Sequence, residues 1–505
     1  MRSSEQSETT RPGQRLARNS LWSLAGIAIP MLAALAFIPL LVQALGLERF
    51  GLLALIWMGV GYFSLFDLGL GKALTHQIAT RLANQDQETI PNLIRTGVLA
   101  LAGLGVLAML LVAILTPWLV PNVFSVPEDM QKEARWSFWI LALSLPAVLA
   151  SAGLAGTLEG YQRFRTLAFI RVPLGISNFV VPALIAVFTP SLIAITLALV
   201  LSRVTALWVL HRVVQRSLTA ERQHAQPPRP SKEDLITLLR FGGWITVSHI
   251  VGPILVYFDR FFISALIGLT AVTHYVTPYE VLSRMMVLPQ AIMAALFPAM
   301  AQAIARHSAN ISSLASGASK AMFLAMLSPA LGAALFAEEL LSLWLDAAFA
   351  KESYVVVQFL AAGILVNVLA RVPMTALQSS GRADVAAKAH LLEVIPYLLV
   401  LWWAVAAFGI VGAALAWMLR VALDTLLLWM GAALLIAELR TQAWVHVGFA
   451  FAAGPALLLL AQIDSFQYRG MIWVLVAIIC LSLLLRLFGR VLLRPGPKPN
   501  GNSSG

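Results

Sequence analysis

Residues 21–45 read LWSLAGIAIPMLAALAFIPLLVQAL, a run of twenty-five positions without one charged side chain. A helix rises about 1.5 Å per residue, so about 20 apolar residues cross the roughly 30 Å hydrocarbon core of a bilayer. The run is too long for the apolar region of a signal peptide, and no small-residue cleavage site follows it before Glu48. It is therefore expected to stay in the protein as a span.

Similar blocks recur along the 505 residues, of which 59% are hydrophobic and 12% charged. Soluble domains average about 25% charged residues, so a water-soluble globule is excluded and an all-α polytopic membrane protein is expected. Fourteen segments qualify as transmembrane helices: 21–45, 50–71, 96–118, 136–158, 166–188, 190–211, 241–266, 276–301, 318–337, 354–377, 385–407, 409–435, 444–462 and 470–489. The lone cysteine, Cys480, lies inside the last of these, which leaves neither a disulfide framework nor a thiol-rich metal site.

The 35 Lys and Arg residues test this count. With the N-terminus placed in the cytoplasm, and with Arg171, Lys320, Lys388 and Arg486 at the inner ends of their spans counted as inner, 25 fall on the inner side, five in outer loops (Arg49, Lys132, Arg135, Lys351 and Arg469) and five deeper within spans. Such a bias, repeated loop after loop, is what the positive-inside rule predicts for two cytoplasmic termini. The net charge of +11 thus reads as topology, and no nucleic-acid partner is expected.

The polar stretch around Pro227, Pro228 and Pro230 divides the first twelve spans into two sets of six. Ordered echoes link the sets: Trp22 with Trp244 and Gly46 with Gly268 at an offset of 222, Gly160 with Gly381 and Ala168 with Ala389 at 221. Parallel repeats of this kind are a transporter architecture. The expected organisation is a cytoplasmic N-tail at 1–20, an N-terminal six-helix bundle at 21–212, a cytoplasmic linker at 213–240, a C-terminal six-helix bundle at 241–437, two further transmembrane helices at 438–490 and a cytoplasmic C-tail at 491–505. The two bundles are expected to be pseudo-symmetric.

Two stretches carry a resemblance. GLERFGLLALIWMGVGYFSLFDLGLGKALTHQIA, from Gly46 to Ala79, and LEGYQRFRTLAFIRVPLGISNFVVP, from Leu158 to Pro182, resemble the polysaccharide transporters of the multidrug/oligosaccharidyl-lipid/polysaccharide exporter superfamily. The resemblance implies a flippase that moves undecaprenyl-diphosphate-linked oligosaccharide units from the inner to the outer leaflet of a bacterial cytoplasmic membrane, for surface polysaccharide assembly. It also implies a polyprenyl-diphosphate-linked glycan and membrane lipids as partners, alongside a polysaccharide polymerase and export machinery.

Charges near a bilayer centre cost several kcal/mol, about 2.5–3.5 on insertion scales, and are functional candidates by default. The embedded cations are Arg203, Arg260, Arg284, Arg371 and Arg420; the acids at similar depth are Asp67, Asp259, Glu280, Glu393 and Asp424. Glu280 with Arg284 and Arg420 with Asp424 stand four apart, a spacing that favours pairing on one helix face. Arg203 and Arg371 have no evident local partner in the sequence and are the stronger candidates for a phosphate. On the tenth span Asn367, Arg371, Thr375 and Gln378 fall within roughly 80° of one another, a polar stripe unsuited to lipid.

Guanidinium groups suit phosphate oxygens, so Arg203, Arg284, Arg371 and Arg420 with Asn367 and Gln378 form the expected substrate-binding set. Asp67, Asp259, Arg260, Glu280, Glu393 and Asp424 form the expected gating or ion-coupling set, with H⁺ or Na⁺ as the coupled ion and no other cofactor. His249 is read as a packed core residue, and Trp22, Trp118, Tyr354 and Tyr468 as interface anchors.

No GxxxxGK[ST], HExxH or paired CxxC occurs in the sequence. The outer loops at 117–135 and 338–353 are short and lack a catalytic constellation, which disfavours a membrane-embedded glycosyltransferase or polymerase. A cation-coupled drug or small-molecule antiporter of the same superfamily is the main alternative, and alternating access between the bundles is the expected mechanism.

Overall fold

A computed structural model of the chain describes residues 12–65, 67, 69–221, 229–286 and 310–492, with isolated positions between 289 and 304. Among them every regular element is a helix, because hydrocarbon offers no water to pair with exposed backbone groups. The helices are α1 (Pro12–Leu65), α2 (Leu70–Ala83), α3 (Ile90–Asn122), α4 (Glu128–Gly160), α5 (Phe164–Phe188), α6 (Leu192–Glu221), α7 (Lys232–Leu266), α8 (Leu269–Ser283), α9 (Asn310–Leu335), α10 (Ala337–Trp344), α11 (Ala347–Ser379), α12 (Ala383–Leu435), α13 (Arg440–Leu460) and α14 (Phe466–Leu492). Ten described helices are long and apolar enough to cross a membrane.

Two of these, α1 and α12, are each twice the length of one span, and both break at a glycine. Gly46 adopts φ 76° and Gly409 φ 61°, left-handed values that a side chain resists. The expected spans 21–45 and 50–71, and 385–407 and 409–435, are the arms of these two helices. The second span is shorter than expected, ending at Leu65, and the following stretch, expected as a loop bearing Lys72, is helix α2. The expected span 276–301 starts earlier, at Leu269, and gives way to a 3₁₀ turn at Arg284–Met286. Trp22 and His249 carry side chains outside the described set, as do residues 222–228 with two of the linker prolines.

Chain contacts divide the protein into two compact units, residues 1–287 with 387–417 and residues 288–386 with 418–505. In the first, α2, α3 and α4 meet around Leu74, Leu101 and Leu154. Glycine sets their spacing. A Cβ on Gly156 would collide with the Gly71 carbonyl of α2, and one on Gly105 with the backbone of Pro146. The Thr75 hydroxyl bonds the carbonyls of Gly71 (3.1 Å) and Gly156 (3.0 Å), tying α2 to α4 across that contact. Small residues with a bridging hydroxyl are the means by which membrane helices associate without a hydrophobic driving force.

The start of α7 docks on the ends of α2 and α3. The Arg229 and Ser231 backbone N–H groups donate to Asn92 Oδ1 (2.8 Å) and Thr96 Oγ1 (2.9 Å), and Asp234 pairs with Arg81 at 2.5 Å. Ser231 caps the helix by accepting from the Asp234 N–H. At the opposite end of α7, Ser264 donates to the Phe124 carbonyl at 2.7 Å, and on α8 Thr273 donates to that of Leu47 at 2.6 Å.

In the second unit α11 is central, with 78% of its most apolar window buried, whereas α14 has 6%. Trp429 of α12 donates to the Leu369 carbonyl of α11 at 3.0 Å and stacks on His446 of α13. The indole of Trp473 holds α14 against Gly332 of α9, and Arg469 binds Glu339 at 2.5 Å and the Leu335 carbonyl at 2.6 Å.

The α2–α4 contact makes a prediction. Gly156→Val should destabilise the purified protein by about 1–3 kcal/mol, the usual cost of overpacking. Gly103→Ala, where a Cβ meets nothing within 4 Å, should leave it unchanged. Thermal unfolding of both variants in detergent is the check, and equal midpoints would contradict the packing described.

Candidate functional site

Four of the expected site residues come together in the first unit, on the facing turns of α7 and α8. Asp259 and Arg260 lie next to each other near the end of α7, and both are buried. Successive helix positions diverge by about 100°, so the two side chains take different partners. Asp259 Oδ2 accepts from the Tyr275 hydroxyl at 2.6 Å, and its Oδ1 accepts from the Arg260 backbone N–H at 2.7 Å.

The Arg260 guanidinium lies between two aromatic rings, 5.0 Å from the Tyr257 centroid and 5.2 Å from that of Tyr279. Cation–π attraction offsets part of the desolvation of a buried guanidinium. Its Nη2 donates to Glu280 Oε1 at 3.1 Å. From the other side, Arg284 Nη2 donates to Glu280 Oε2 at 3.2 Å, and its Nε donates to the Glu280 carbonyl at the end of α8. The Arg284 guanidinium also lies over Phe179 of α5, 5.3 Å from its centroid.

Two guanidinium groups thus converge on the two oxygens of one carboxylate, yet they differ in access. The Arg260 side chain is 2% exposed, against 21% for Arg284 and 24% for Glu280. Arg260 is a fixed buried charge, while Arg284 and Glu280 form a rim. Arg284 gives the Glu280 carboxylate a single N–H, from Nη2, and at this partly exposed rim a guanidinium suits an anion of phosphate or carboxylate geometry as well.

The other expected site residues are placed elsewhere. Asp67 accepts from the backbone N–H groups of Gly69 (2.9 Å) and Gly71 (3.3 Å), which makes it the cap of the α1–α2 turn. Arg203, expected to lack a local partner, has two: its Nη1 donates to the Leu199 carbonyl one turn back at 3.0 Å, and its Nη2 to Asn178 Oδ1 of α5 at 3.4 Å. A guanidinium carries five donors, and helix carbonyls keep a second lone pair, so such a partner is invisible in side-chain spacing. Glu393 is fully buried on the first arm of α12. Arg420 and Asp424 stand one turn apart on the second arm, with Asp424 buried.

The stripe on α11 divides. Thr375 is buried and donates to the Arg371 carbonyl at 3.0 Å, and Asn367 is half-buried. From Ser353 to Ser379 the only exposed positions are Arg371 and Gln378. On an otherwise buried helix, the exposed positions are therefore the polar ones. The aromatic partners Tyr257, Tyr275, Tyr279 and Phe179 escaped the sequence reading. The spacing of Tyr257 to Arg260 and of Tyr275 to Tyr279, one turn in each case, was the available signal.

The family described as polysaccharide biosynthesis protein matches residues 16–304. A candidate O-antigen transporter of Shigella flexneri is 29% identical over 420 residues, covering 82% of this chain and 96% of that protein. An inward-facing multidrug-resistance transporter of the MATE family, in the MOP superfamily, shares the fold with a TM-score of 0.69 at 15% identity, over 84% of this chain and 96% of its own. The lipid II flippase MurJ, in an inward closed conformation, gives a TM-score of 0.67 at 13% identity, over 94% of this chain and 100% of its own.

The unequal burial of the two arginines predicts unequal variants. Glu280→Gln takes the hydrogen-bonded carboxylate from the buried Arg260, leaving Asp259 as its neighbouring anion, and should cost about 1–3 kcal/mol, the cost of leaving a buried group short of its partner. Arg284→Gln, at the rim, should cost no more than about 1 kcal/mol. Thermal unfolding in detergent reads both, and the reverse order would contradict the assignment of Arg260 as the fixed charge.

Proposed function

Because the chain belongs to the polysaccharide biosynthesis protein family, which covers residues 16–304, we propose that it moves polyprenyl-diphosphate-linked oligosaccharide units from the inner to the outer leaflet of a bacterial cytoplasmic membrane. The protein is a multi-pass membrane transporter of polysaccharide units rather than an enzyme. The lipid-linked form of the unit, the alternating-access route and the placement of both termini in the cytoplasm are parts of this proposal.

One observation carries it: Arg260 and Arg284 converge on the two oxygens of Glu280, with Arg284 and Glu280 accessible at the rim. Glu280 holds the place of an anion. A diphosphate arriving there exchanges with it at Arg284, while Arg260 stays fixed between Tyr257 and Tyr279. Low dielectric around the rim strengthens that attraction relative to water.

In the second unit, the exposed Arg371 and Gln378 with the half-buried Asn367 offer a guanidinium and amides of the kind that phosphate oxygens and sugar hydroxyls accept from or donate to. The polyprenyl tail remains in lipid, which requires nothing of the protein but an opening for the headgroup. A cationic drug would meet two arginines at the same place, so the site favours the anionic substrate over the antiporter reading.

Reconstitution into liposomes tests the proposal. A fluorescent polyprenyl-diphosphate oligosaccharide should cross in a protein-dependent manner. Arg284→Gln and Arg371→Gln should each slow it about tenfold or more, since a hydrogen bond to a charged group contributes roughly 1.5–3 kcal/mol. Absence of translocation across several glycans, with gradient-driven uptake of a cationic dye instead, would move the protein to the antiporter class.

A further inference from the structure

A cavity of about 450 Å³ lies wholly within the second unit, among α9, α11, α13 and α14. Its size falls in the range of small-molecule sites, roughly 300–1,000 Å³. The walls are leucine, valine and phenylalanine, and Val445, Phe449 and Leu483 are exposed, so the cavity opens on the side that faces lipid. Three lining residues are polar, Ser319, Lys320 and His446.

These three are not equivalent. The His446 ring is committed: its Nδ1 donates to the Gln442 carbonyl at 2.7 Å, and its face stacks on Trp429. Ser319 is 1% exposed, and its hydroxyl has no hydrogen-bond partner among the described residues. A buried hydroxyl left unmade costs free energy, so the position calls for an acceptor or donor from a ligand. Lys320 is exposed, although it sits ten residues inside an apolar helix. A lysine at such a depth reaches along the surface toward the headgroup region, and an anion there is its natural partner.

The direction of the neighbouring helices is consistent with this. Trp473 of α14 lies against Gly332 near the end of α9, while Leu483 and Leu487 line the cavity beside Lys320 near its start. The two helices are therefore antiparallel, and Arg486 on α14 and Arg440 at the start of α13 lie toward the same end as Lys320, with Glu438 the acid beside them. The combination is an apolar slot with a buried hydroxyl, a lysine at its mouth and basic residues around it.

We infer that this cavity binds an anionic phospholipid of the surrounding bilayer, with an acyl chain between α9, α13 and α14 and the headgroup phosphate at Lys320 and Ser319. The apolar walls take the chain, and Lys320 selects a negative headgroup over a zwitterionic one. The site uses none of the residues assigned to the transported glycan, so it stands or falls apart from the flippase reading.

The test is native mass spectrometry of the full-length protein in detergent, titrated with dioleoyl phosphatidylglycerol or dioleoyl phosphatidylcholine. The wild type should retain the anionic lipid more strongly. Lys320→Gln should weaken that lipid about fivefold, the value of one basic residue at an anionic headgroup, and leave the zwitterionic lipid unchanged. Because Lys320 is exposed, its replacement should not alter thermal unfolding. Leu324→Trp, which fills the cavity, should weaken both lipids. Equal retention of the two lipids by the wild type, or an unaltered affinity in Lys320→Gln, would overturn the inference. One-for-one displacement of the bound lipid by undecaprenyl phosphate would also overturn it and give the cavity to the transported lipid.

Discussion

A bilayer interior supplies no water, so every polar group placed there must bring its partner with it. That constraint accounts for the helices, whose backbones pair internally, and for the way they meet, through Gly156 on Gly71 and Gly105 on Pro146. It also accounts for the charged residues. Arg260 carries two tyrosine rings and a carboxylate, and Arg203 a carbonyl of its own helix and the Asn178 amide of α5. What distinguishes the α7–α8 cluster is that its anion is shared with a second arginine that still reaches the rim.

Burial thus sorts two identical side chains into two kinds of work. Arg260 cannot exchange partners without exposing a desolvated charge, so it acts as a constant source of positive potential. Arg284 holds the same carboxylate at a partly solvated position, where the attraction is weaker and exchange is cheap. Asp259 does not compete in this exchange, because the Tyr275 hydroxyl and the Arg260 N–H occupy its two oxygens. Fixed field and exchangeable contact meet on one carboxylate, Arg260 reaching it from α7 and Arg284 from the turn that follows α8.

Hydropathy and charge were enough to read the class of fold, because the hydrophobic requirement acts on every residue of a span at once. Helix ends were less legible. α2 continues through Lys72 where a loop was expected, since its polar residues lie at the protein's edge and helix formation there depends on packing against α4. In the site, the pairing of Glu280 with Arg284 was visible as an i,i+4 spacing, but the bond from Arg260 to Glu280 spans twenty residues and depends on how α7 turns into α8. Asp67 and Arg203 show a further limit: both bond backbone atoms, and Arg203 also bonds Asn178 on another helix, contacts that no spacing of charged side chains reveals.

The docking of residues 229–234 on α2 and α3 bears on biogenesis. A polytopic chain leaves the ribosome from its N-terminus, and Asn92, Thr96 and Arg81 are already placed when Arg229, Ser231 and Asp234 emerge. The helices that precede α7 in the chain thus carry the groups that receive its first turn. Order of synthesis, and not only final stability, is written into that contact, so a circular permutant beginning at α7 would have to insert that helix with nothing to receive it.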